Sequence, residues 1–416
     1  MLKILNFYAF CCAAIIMLCS FIKHNNIKHE IYSPFFITQT KITQATHNTP
    51  NKNLPFIATQ SLLPNKELSA HASAIVAKDS KIMTLFYAGT REGAFDVKIY
   101  QSFLDTKTLD SKWSEPLVLL TPERLTSLSG RYVKKLGNPI VFKDSKDRVH
   151  LFVVGVSLGG WATSRIYQFY FSDDLATIHY VRELHLNPFG NYSHLVRTPA
   201  LPLENGGFIL AFSHEMWHKF PLIAFFDENG NMLTTKAINH LKAQLQPSII
   251  ALNDSECAAF YRTNNRYNTN TYYQTCENYA KTWHNIETSN MKNYDSSILL
   301  VNLGDEVVLI TNDGKHNPIW QNDTKKGDRQ SLSLYYLQDK IKGQFVYIDT
   351  IDTAKMGGGG EVSYPAAILD NNLLHVTYTY NRKTIKHTAL NINAILEKIE
   401  SIKKDSIQQS MQGGGK

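Results

Sequence analysis

The amino-acid sequence predicts an all-β protein built as a β-propeller. Short runs of strand-forming residues recur from residue 69 to 390, among them IMTLFYA (82–88), VHLFVVGVS (149–157) and LLHVTYTY (373–380), with turn signals between them. The aromatic fraction of 11% also favours strands. Amphipathic helices are scarce in this span, so the strands need a closed or repeated architecture to bury their apolar faces. Blades of about 40–50 residues would divide the span into six or seven.

Two weak internal repeats support blades. The segments SDDLATIH (172–179) and CENYAKTW (276–283) each follow an aromatic-rich strand and resemble the Asp-box pattern Ser-x-Asp-x-Gly-x-Thr-Trp. The first keeps Ser172 and Asp174, and the second keeps Thr282 and Trp283. We interpret both as structural turns between outer strands, which bear on the fold and not on chemistry.

The two ends of the chain differ from this strand pattern. Lys3 precedes the apolar run ILNFYAFCCAAIIMLCSFI (4–22), which is near the ~20 residues that cross a bilayer and longer than a signal h-region of about 7–15. An uncleaved anchor or a cleaved signal peptide would both export the remainder. The segment 391–412 has Ile and Leu at helical spacing. We therefore divide the chain into a signal peptide or membrane anchor (1–23), a tether leading into the fold (24–62), the propeller (63–390), and a C-terminal helix and tail (391–416).

Charge and cysteine usage narrow the function classes. The net charge of +7 includes no dense basic block or nucleic-acid reading motif, so we expect no nucleic-acid partner, although an acidic small substrate is compatible. Outside the apolar run only Cys257 and Cys276 remain, as a disulfide of an exported protein or as two buried free thiols. The HEMWH segment (214–218) lacks a third metal ligand. We expect a monomer without metal or organic cofactor.

Four longer segments carry a resemblance to a known family. They are HASAIVAKDSKIMTLFYAGTREGAFDVKIYQS (71–102), LGNPIVF (136–142), LQPSIIALNDSECAAFYR (245–262) and EVSYPAAILDNNLLHVTYTYNRKTIKH (361–387). In this order and spacing they resemble the BNR-repeat branch of the sialidase (neuraminidase) superfamily, over about residues 69–390. The resemblance implies a six-bladed propeller with its site at the axis.

The resemblance also implies an arginine clamp for a substrate carboxylate. Sialidases use three arginines from different blades, whose planar guanidinium groups match a carboxylate. Arg262 matches the second position and Arg329 the third. The first should lie in the early segment NLPFIAT (53–59), which has no arginine. The candidates to replace it in space are Arg91, Arg197 and Arg382.

The loop GTREGAFDVKI (89–99) takes the place of the acid/base loop. Glu92 stands four residues before Asp96-Val97, where the family usually has an aspartate. A carboxylic acid that protonates the leaving oxygen is what exo-glycoside cleavage needs. Asp96 is a candidate for contacting substrate or for holding the start of the strand. The alternative is that both carboxylates cap a tight turn.

The nucleophile is where the sequence departs from the family. An ungapped alignment of EVSYPAAI puts Val362 at the position of the family's tyrosine, and Tyr364 lies two residues further on, on the same face of a strand. Gln246 replaces the glutamate that assists this tyrosine, and a glutamine is no base. Glu361 or Glu215 are the candidates to supply the carboxylate. His71 is either an axial residue or a core histidine.

The sequence thus predicts an exported exo-acting glycosidase that removes a terminal sugar from a glycan, with a sialic or other acidic sugar as the leading candidate. The alternatives are a propeller that binds glycan without cleaving it, and a glycosidase or lyase for a uronate or a neutral deoxysugar. The predicted catalytic residues are Glu92, Tyr364 and Glu361. The predicted substrate contacts are His71, Arg91, Asp96, Arg197, Glu215, Gln246, Arg262, Arg329 and Arg382.

Overall fold

A computed structural model describes residues 2–25, 33–35, 54–187, 190–264, 270–293, 295–312, 329–354 and 360–413. Its strands form six antiparallel sheets of four or five strands, the blades of a six-bladed β-propeller, and a helix follows the last blade. The predicted fold class is therefore confirmed.

Each blade starts at its innermost strand and runs outward. The first strand of the chain is β1 (Ile57–Leu62); blade 1 then contains β2 (Ser69–Lys78), β3 (Lys81–Gly89), β4 (Lys98–Asp105) and β5 (Leu117–Leu120), and blade 2 contains β6 (Lys135–Lys143), β7 (Val149–Val156), β8 (Ser164–Phe171) and β9 (Ile178–Glu183). Blade 3 contains β10 (His194–Val196), β11 (Leu201–Pro202), β12 (Phe208–His214), β13 (Phe220–Phe226) and β14 (Met232–Ala237), and blade 4 contains β15 (Gln244–Ala251), β16 (Cys257–Thr263), β17 (Asn270–Glu277), β18 (Thr282–Trp283) and β19 (Glu287–Lys292). Blade 5 contains β20 (Leu299–Asn302), β21 (Val307–Asn312), β22 (Ser331–Asp339) and β23 (Gln344–Thr353), and blade 6 contains β24 (Val362–Asp370), β25 (Leu373–Tyr380) and β26 (Thr384–Asn391). The helices are α1 (Leu2–Asn25), α2 (Pro122–Ser129) and α3 (Ile392–Gly413).

The ring is closed by strands from opposite ends of the chain. β1 pairs antiparallel with β26 and so becomes the outermost strand of blade 6. The Gln60 side chain reinforces this seam by donating to Thr388 Oγ1 at 3.1 Å. This pairing joins the two ends of the propeller within one blade, and the closed ring brings the six inner strands around one axis.

The hydrophobic core is divided among the interfaces between blades and does not form a single central core. Six clusters of buried side chains each lie between two neighbouring blades, and the cluster of blades 1 and 2 also includes Tyr364 of blade 6. A strand covered on both faces is apolar along its whole length, and β7 is buried at every position. On α3, Ile392, Ile395 and Ile399 are buried against the cluster between blades 5 and 6.

The two Asp-box-like segments occupy equivalent places. Each joins the third and fourth strands of its blade, β8 to β9 and β17 to β18. In the first, Asp174 Oδ1 accepts from the Ala176 N–H at 3.0 Å, and Ser172 Oγ accepts from the Thr177 N–H at 3.1 Å. These bonds fix a turn at the outer side of blade 2, away from the axis.

The N-terminal predictions are only partly covered by the structure. Residues 2–25 are helical, and residues 33–35 lie beside blade 3, where Phe35 forms a bridge with Leu203. Among the helices in the described part of the chain, none combines the length and hydropathy that crossing a bilayer requires. The remainder of the predicted tether up to residue 53, and the last three residues of the tail, lie outside the described residues.

Cys257 and Cys276 form a disulfide in the structure. They are register partners on the adjacent strands β16 and β17, with Cα atoms 4.9 Å apart, and both are fully buried. Of the two alternatives that the sequence left open, the structure has the disulfide.

A buried histidine pair makes blade 6 sensitive to acid. His375 Nδ1 and His387 Nε2 lie 3.0 Å apart, so one ring donates and the other must accept as neutral imidazole. Burial lowers the pKa of His375 to about 4 and that of His387 to about 3. Both side chains take up protons near pH 6.5 when unfolded, so the unfolded state binds more protons as the pH falls below that value.

We therefore expect acidification from pH 6.5 to pH 5 to lower the free energy of unfolding by roughly 2–4 kcal/mol through this pair. Denaturant unfolding at both pH values measures the loss. The His387→Asn variant should lose about half of this dependence. The control His185→Gln, at an exposed histidine, should keep all of it. An equal pH dependence in parent and His387→Asn proteins would contradict this expectation.

Candidate active site

The inner strands share a distortion at the end where the predicted site residues meet. In β2, β6, β15 and β24, two residues oppose a single residue of the next strand, which defines a β-bulge. The first bulge residues include Ala72, Gln246 and Tyr364, with φ of 53°, 45° and 57°. A left-handed backbone is unfavourable for such residues and is characteristic of functional sites.

The bulge in β24 explains the apparent misplacement of the tyrosine. Val362 is fully buried in the core between blades 5 and 6, whereas Tyr364 lies among arginines at the axis. Arg262 Nη1 donates to the Tyr364 hydroxyl at 2.8 Å. Arg197 and Arg329 each have their guanidinium carbon 5.2 Å from the centre of the tyrosine ring. The structure thus brings the predicted nucleophile together with arginines of blades 3, 4 and 5.

Arg262 is held by a carboxylate that the sequence analysis missed. Asp295 Oδ1 accepts from Arg262 Nε at 2.8 Å and from Nη2 at 2.7 Å. The backbone carbonyl of Asp295 also accepts from Arg329 Nη2 at 2.7 Å. One residue between blades 4 and 5 therefore aligns two arginines. No motif surrounds Asp295 in the sequence, so nothing there identified it.

Glu361 links Arg329 to a further arginine, Arg382. Its Oε1 accepts from Arg329 Nη1 at 3.0 Å and its Oε2 accepts from Arg382 Nε at 2.5 Å. The Ser363 hydroxyl donates to the same carboxylate. Burial alone would raise the pKa of Glu361, but the charges of Arg329 and Arg382 outweigh it and hold the pKa below its usual range. Glu361 is thus a fixed anion that orients two guanidinium groups.

Arg382 connects the last blade to the predicted acid/base loop. It follows Asn381 in the β25–β26 turn, where both residues have positive φ. Its Nη1 donates to Glu92 Oε2 at 2.5 Å. Tyr87, near the end of β3, lies within the electrostatic reach of Glu92: burial, followed by the Glu92 charge, raises the pKa of Tyr87 well above its usual value. Glu92 therefore lies within the cluster.

Three further predicted residues are at or near the axis. The His71 ring centre is 4.2 Å from that of Tyr364, and its Nδ1 is 2.7 Å from Thr379 Oγ1. Burial lowers the pKa of His71 well below its usual value. Gln246 is buried and its Oε1 has no partner among the described residues. Burial raises the pKa of Glu215, which accepts from Ser213 Oγ at 3.0 Å and lies within the electrostatic reach of Arg262.

Two predicted residues lie apart from the cluster. Arg91 is exposed, and its side chain has no ion-pair partner in the described ranges. Asp96 accepts from the N–H and the hydroxyl of Thr90, each at 2.9 Å. Asp96 thus holds its own turn, the structural alternative given above. Within the described residues no group of three or more His, Cys, Asp and Glu side chains could hold a metal ion.

Comparison with known proteins places the chain in a family. The family model of the BNR repeat-like domain matches residues 80–376. No curated protein matches the chain. Among solved structures, the Hadza microbial sialidase Hz136 is 13% identical with a TM-score of 0.61, over 79% of this chain and 66% of that one. The Trypanosoma rangeli sialidase in complex with sialic acid is 12% identical with a TM-score of 0.57, over 85% and 60%.

A third similar structure has another activity. The Penicillium chrysogenum α-L-arabinanase complexed with arabinobiose is 12% identical with a TM-score of 0.55, over 82% of this chain and 99% of that one. The chain spans less than two thirds of each of the two sialidases. At these identities the likeness establishes the fold, which glycosidases of different specificity share. The family match covers most of the chain, and the chain belongs to the BNR repeat-like family, with the fold of a six-bladed propeller.

Proposed function

We propose that this chain is an exo-acting glycosidase that removes a terminal acidic sugar, of the sialic acid class, from a glycan. One observation carries the proposal: the Tyr364 hydroxyl lies 2.8 Å from Arg262 inside a cluster of arginines, and Glu92 joins the same cluster through Arg382. A nucleophile, a carboxyl group and several guanidinium groups at one site are the parts that hydrolysis of an acidic glycoside needs.

The arginines supply recognition of the acidic group. Guanidinium groups bind carboxylates through paired N–H donors and stay charged at any physiological pH. Arg262, Arg329 and Arg382 come from three blades and are oriented by Asp295 and Glu361. We assign these three to the sugar carboxylate, with Arg382 replacing the arginine that is missing from the segment 53–59.

The reaction then proceeds in two displacements. The Tyr364 hydroxyl loses its proton to solvent and Oη bonds to the anomeric carbon while the bond to the leaving oxygen breaks, and Glu92 gives its proton to that oxygen. In the second step Glu92 takes a proton from water, the water oxygen bonds to the anomeric carbon, and Tyr364 leaves. Two displacements at one carbon retain its configuration.

A binding protein is the second candidate, and two observations favour it. Gln246 cannot act as a base, and Glu92 is held by Arg382 in an ion pair. The same cluster would then bind an acidic glycan without cleaving it. The third candidate, catalysis on a uronate or a neutral deoxysugar, keeps Tyr364 and Glu92 and differs only in what the arginines contact.

We also propose that the chain acts outside the cytoplasm. The buried Cys257–Cys276 disulfide is typical of oxidising compartments. The apolar run 4–22 is the segment that would direct export.

The test is release of sugar from a panel of sialylated, uronate-bearing and neutral-capped glycans, detected by mass spectrometry. We expect the full-length parent to release an acidic sugar, and Glu92→Gln to release it about 10²–10⁴-fold more slowly because the leaving oxygen lacks its proton donor. Glu123→Gln, on the exposed first turn of α2, is the matched control and should act like the parent. Equal glycan binding by parent and Glu92→Gln without any release would establish the binding protein instead.

A further inference from the structure

Arg197 is a buried cation without a carboxylate partner. It follows β10 and is only 3% exposed. Its Nη1 donates to the Ser73 carbonyl at 3.1 Å and its Nη2 donates to the Pro365 carbonyl at 2.9 Å, while Nε has no partner among the described residues. Burial lowers the pKa of Arg197 to about 10, so the group is still charged at neutral pH. Buried charges are costly unless an opposite charge accompanies them.

The other arginines of the cluster have their counter-charges. Asp295 pairs with Arg262, and Glu361 pairs with Arg329 and Arg382. Among these four guanidinium groups, as far as the described residues show, Arg197 alone has no acidic partner. The group beside it is Tyr364, whose ring centre is 5.2 Å away.

Strand β15, next to Arg197 in the neighbouring blade, carries Gln246, which replaces the family's assisting glutamate. Thr198 Oγ1 donates to the Pro247 carbonyl at 2.7 Å, which places Arg197 and Gln246 on neighbouring segments of blades 3 and 4. Gln246 and Tyr364 occupy equivalent bulge positions in their blades, and both are buried. The chain thus has a buried positive charge beside Tyr364, and a glutamine on the neighbouring segment at the position where the family has a carboxylate.

We propose that Arg197 is a positioning residue for Tyr364, whose charge stabilises the oxyanion form of the tyrosine in place of a carboxylate base. This inference rests on the proposed function. The hydroxyl proton leaves to solvent, Oη bonds to the anomeric carbon as the leaving oxygen takes the proton of Glu92, and Oη is an oxyanion again after water has displaced it. The charged and titratable groups facing Tyr364 from the neighbouring elements are His71, Tyr87, Arg197, Arg262 and Arg329.

Kinetics against pH distinguish this role from a merely structural one. We expect Arg197→Met to lower kcat about a hundredfold, as loss of one preorganised charge partner does, and to leave KM within about threefold. The acidic limb of its pH–rate profile should move to higher pH. Arg197→Lys, which keeps the charge, should restore that limb and most of kcat. A fall in kcat with an unchanged limb, equal in both variants, would overturn the proposal.

A measurement without substrate separates this inference from the proposed function. Ultraviolet difference titration follows the appearance of tyrosinate in the parent, in Tyr364→Phe and in Arg197→Met. We expect the tyrosinate signal that Tyr364→Phe lacks to appear at higher pH in Arg197→Met than in the parent. If this shift is observed in a protein that releases no sugar, the proposed glycosidase activity is refuted and the effect of Arg197 on Tyr364 still stands. Sugar release without the shift would refute the effect of Arg197 alone. If Arg197→Met does not fold, Arg197→Gln, whose amide can still donate to a backbone carbonyl, takes its place in the comparison.

Discussion

Replacing Tyr364 by Phe should lower kcat for sugar release by at least about a thousandfold, because it removes the atom that bonds to the anomeric carbon. The ring keeps its contacts with Arg197, Arg329 and His71, so substrate affinity should change little. Arg262 Nη1 loses its acceptor at 2.8 Å, which costs about 1–3 kcal/mol of stability. The measurement is kcat and KM on the sugar that the glycan panel identifies, with thermal unfolding recorded in parallel.

A second buried tyrosine of blade 6 provides the matched control. The Tyr378 hydroxyl donates to Asp352 at 2.8 Å on the outer side of the blade. Tyr378→Phe loses a comparable hydrogen bond and should keep the parent kcat. If Tyr364→Phe retains more than about a tenth of the parent kcat, the tyrosine is no nucleophile and the two-step reaction is wrong.

The Glu361→Gln substitution should give the largest loss of stability, about 3 kcal/mol at neutral pH. Removing one partner of a buried ion pair costs about 3–5 kcal/mol, and the lower end applies because the Arg382 side chain is 37% exposed. Arg329 and Arg382 would then repel each other across a neutral amide. Denaturant unfolding of both proteins at neutral pH measures the difference.

The pH dependence of this difference follows from the lowered pKa of Glu361. Its stabilising contribution is fully present above the pKa of an unfolded glutamate and is lost as the pH falls through the lower folded value. The gap between parent and Glu361→Gln should therefore shrink on acidification below about pH 4. Glu228→Gln, at an exposed glutamate in the turn between β13 and β14, should show no gap at either pH. A gap that stays constant down to low pH would mean that the arginines do not depend on the charge of Glu361.

The sequence was sufficient for the fold because propeller blades are made of local hairpins. Consecutive strands of a blade pair with each other, so runs such as IMTLFYA and VHLFVVGVS and the turns after them carry the pattern. Two features of the fold could not be predicted from the sequence pattern. β1 is separated from β26 by almost the whole propeller, and its pairing is visible only when the ring closes. The number of blades came from the resemblance, since spacing alone allowed six or seven.

The site was predictable in its residue types and less so in its geometry. Glu92, Arg262, Arg329, Glu361 and Tyr364 were all selected, and the structure brings them together. Which of Arg91, Arg197 and Arg382 would join them depends on side-chain reach across blades, which no linear spacing encodes. The bulge that carries Tyr364 to the axis, and the role of Asp295, likewise depend on contacts between distant blades.

The placement of the core between blades has a consequence for any shortened form of this protein. Because each of the six clusters combines two neighbours, deleting one blade exposes two apolar surfaces and opens the circle. We therefore expect that no blade folds independently and that the whole ring unfolds as one cooperative unit. A truncation that is meant to stay native must therefore retain Ile57–Leu62 at one end and the buried face of α3, through Ile399, at the other. The same logic makes a circular permutation, with the old ends joined and new ones at a blade boundary, a milder change than losing a single strand.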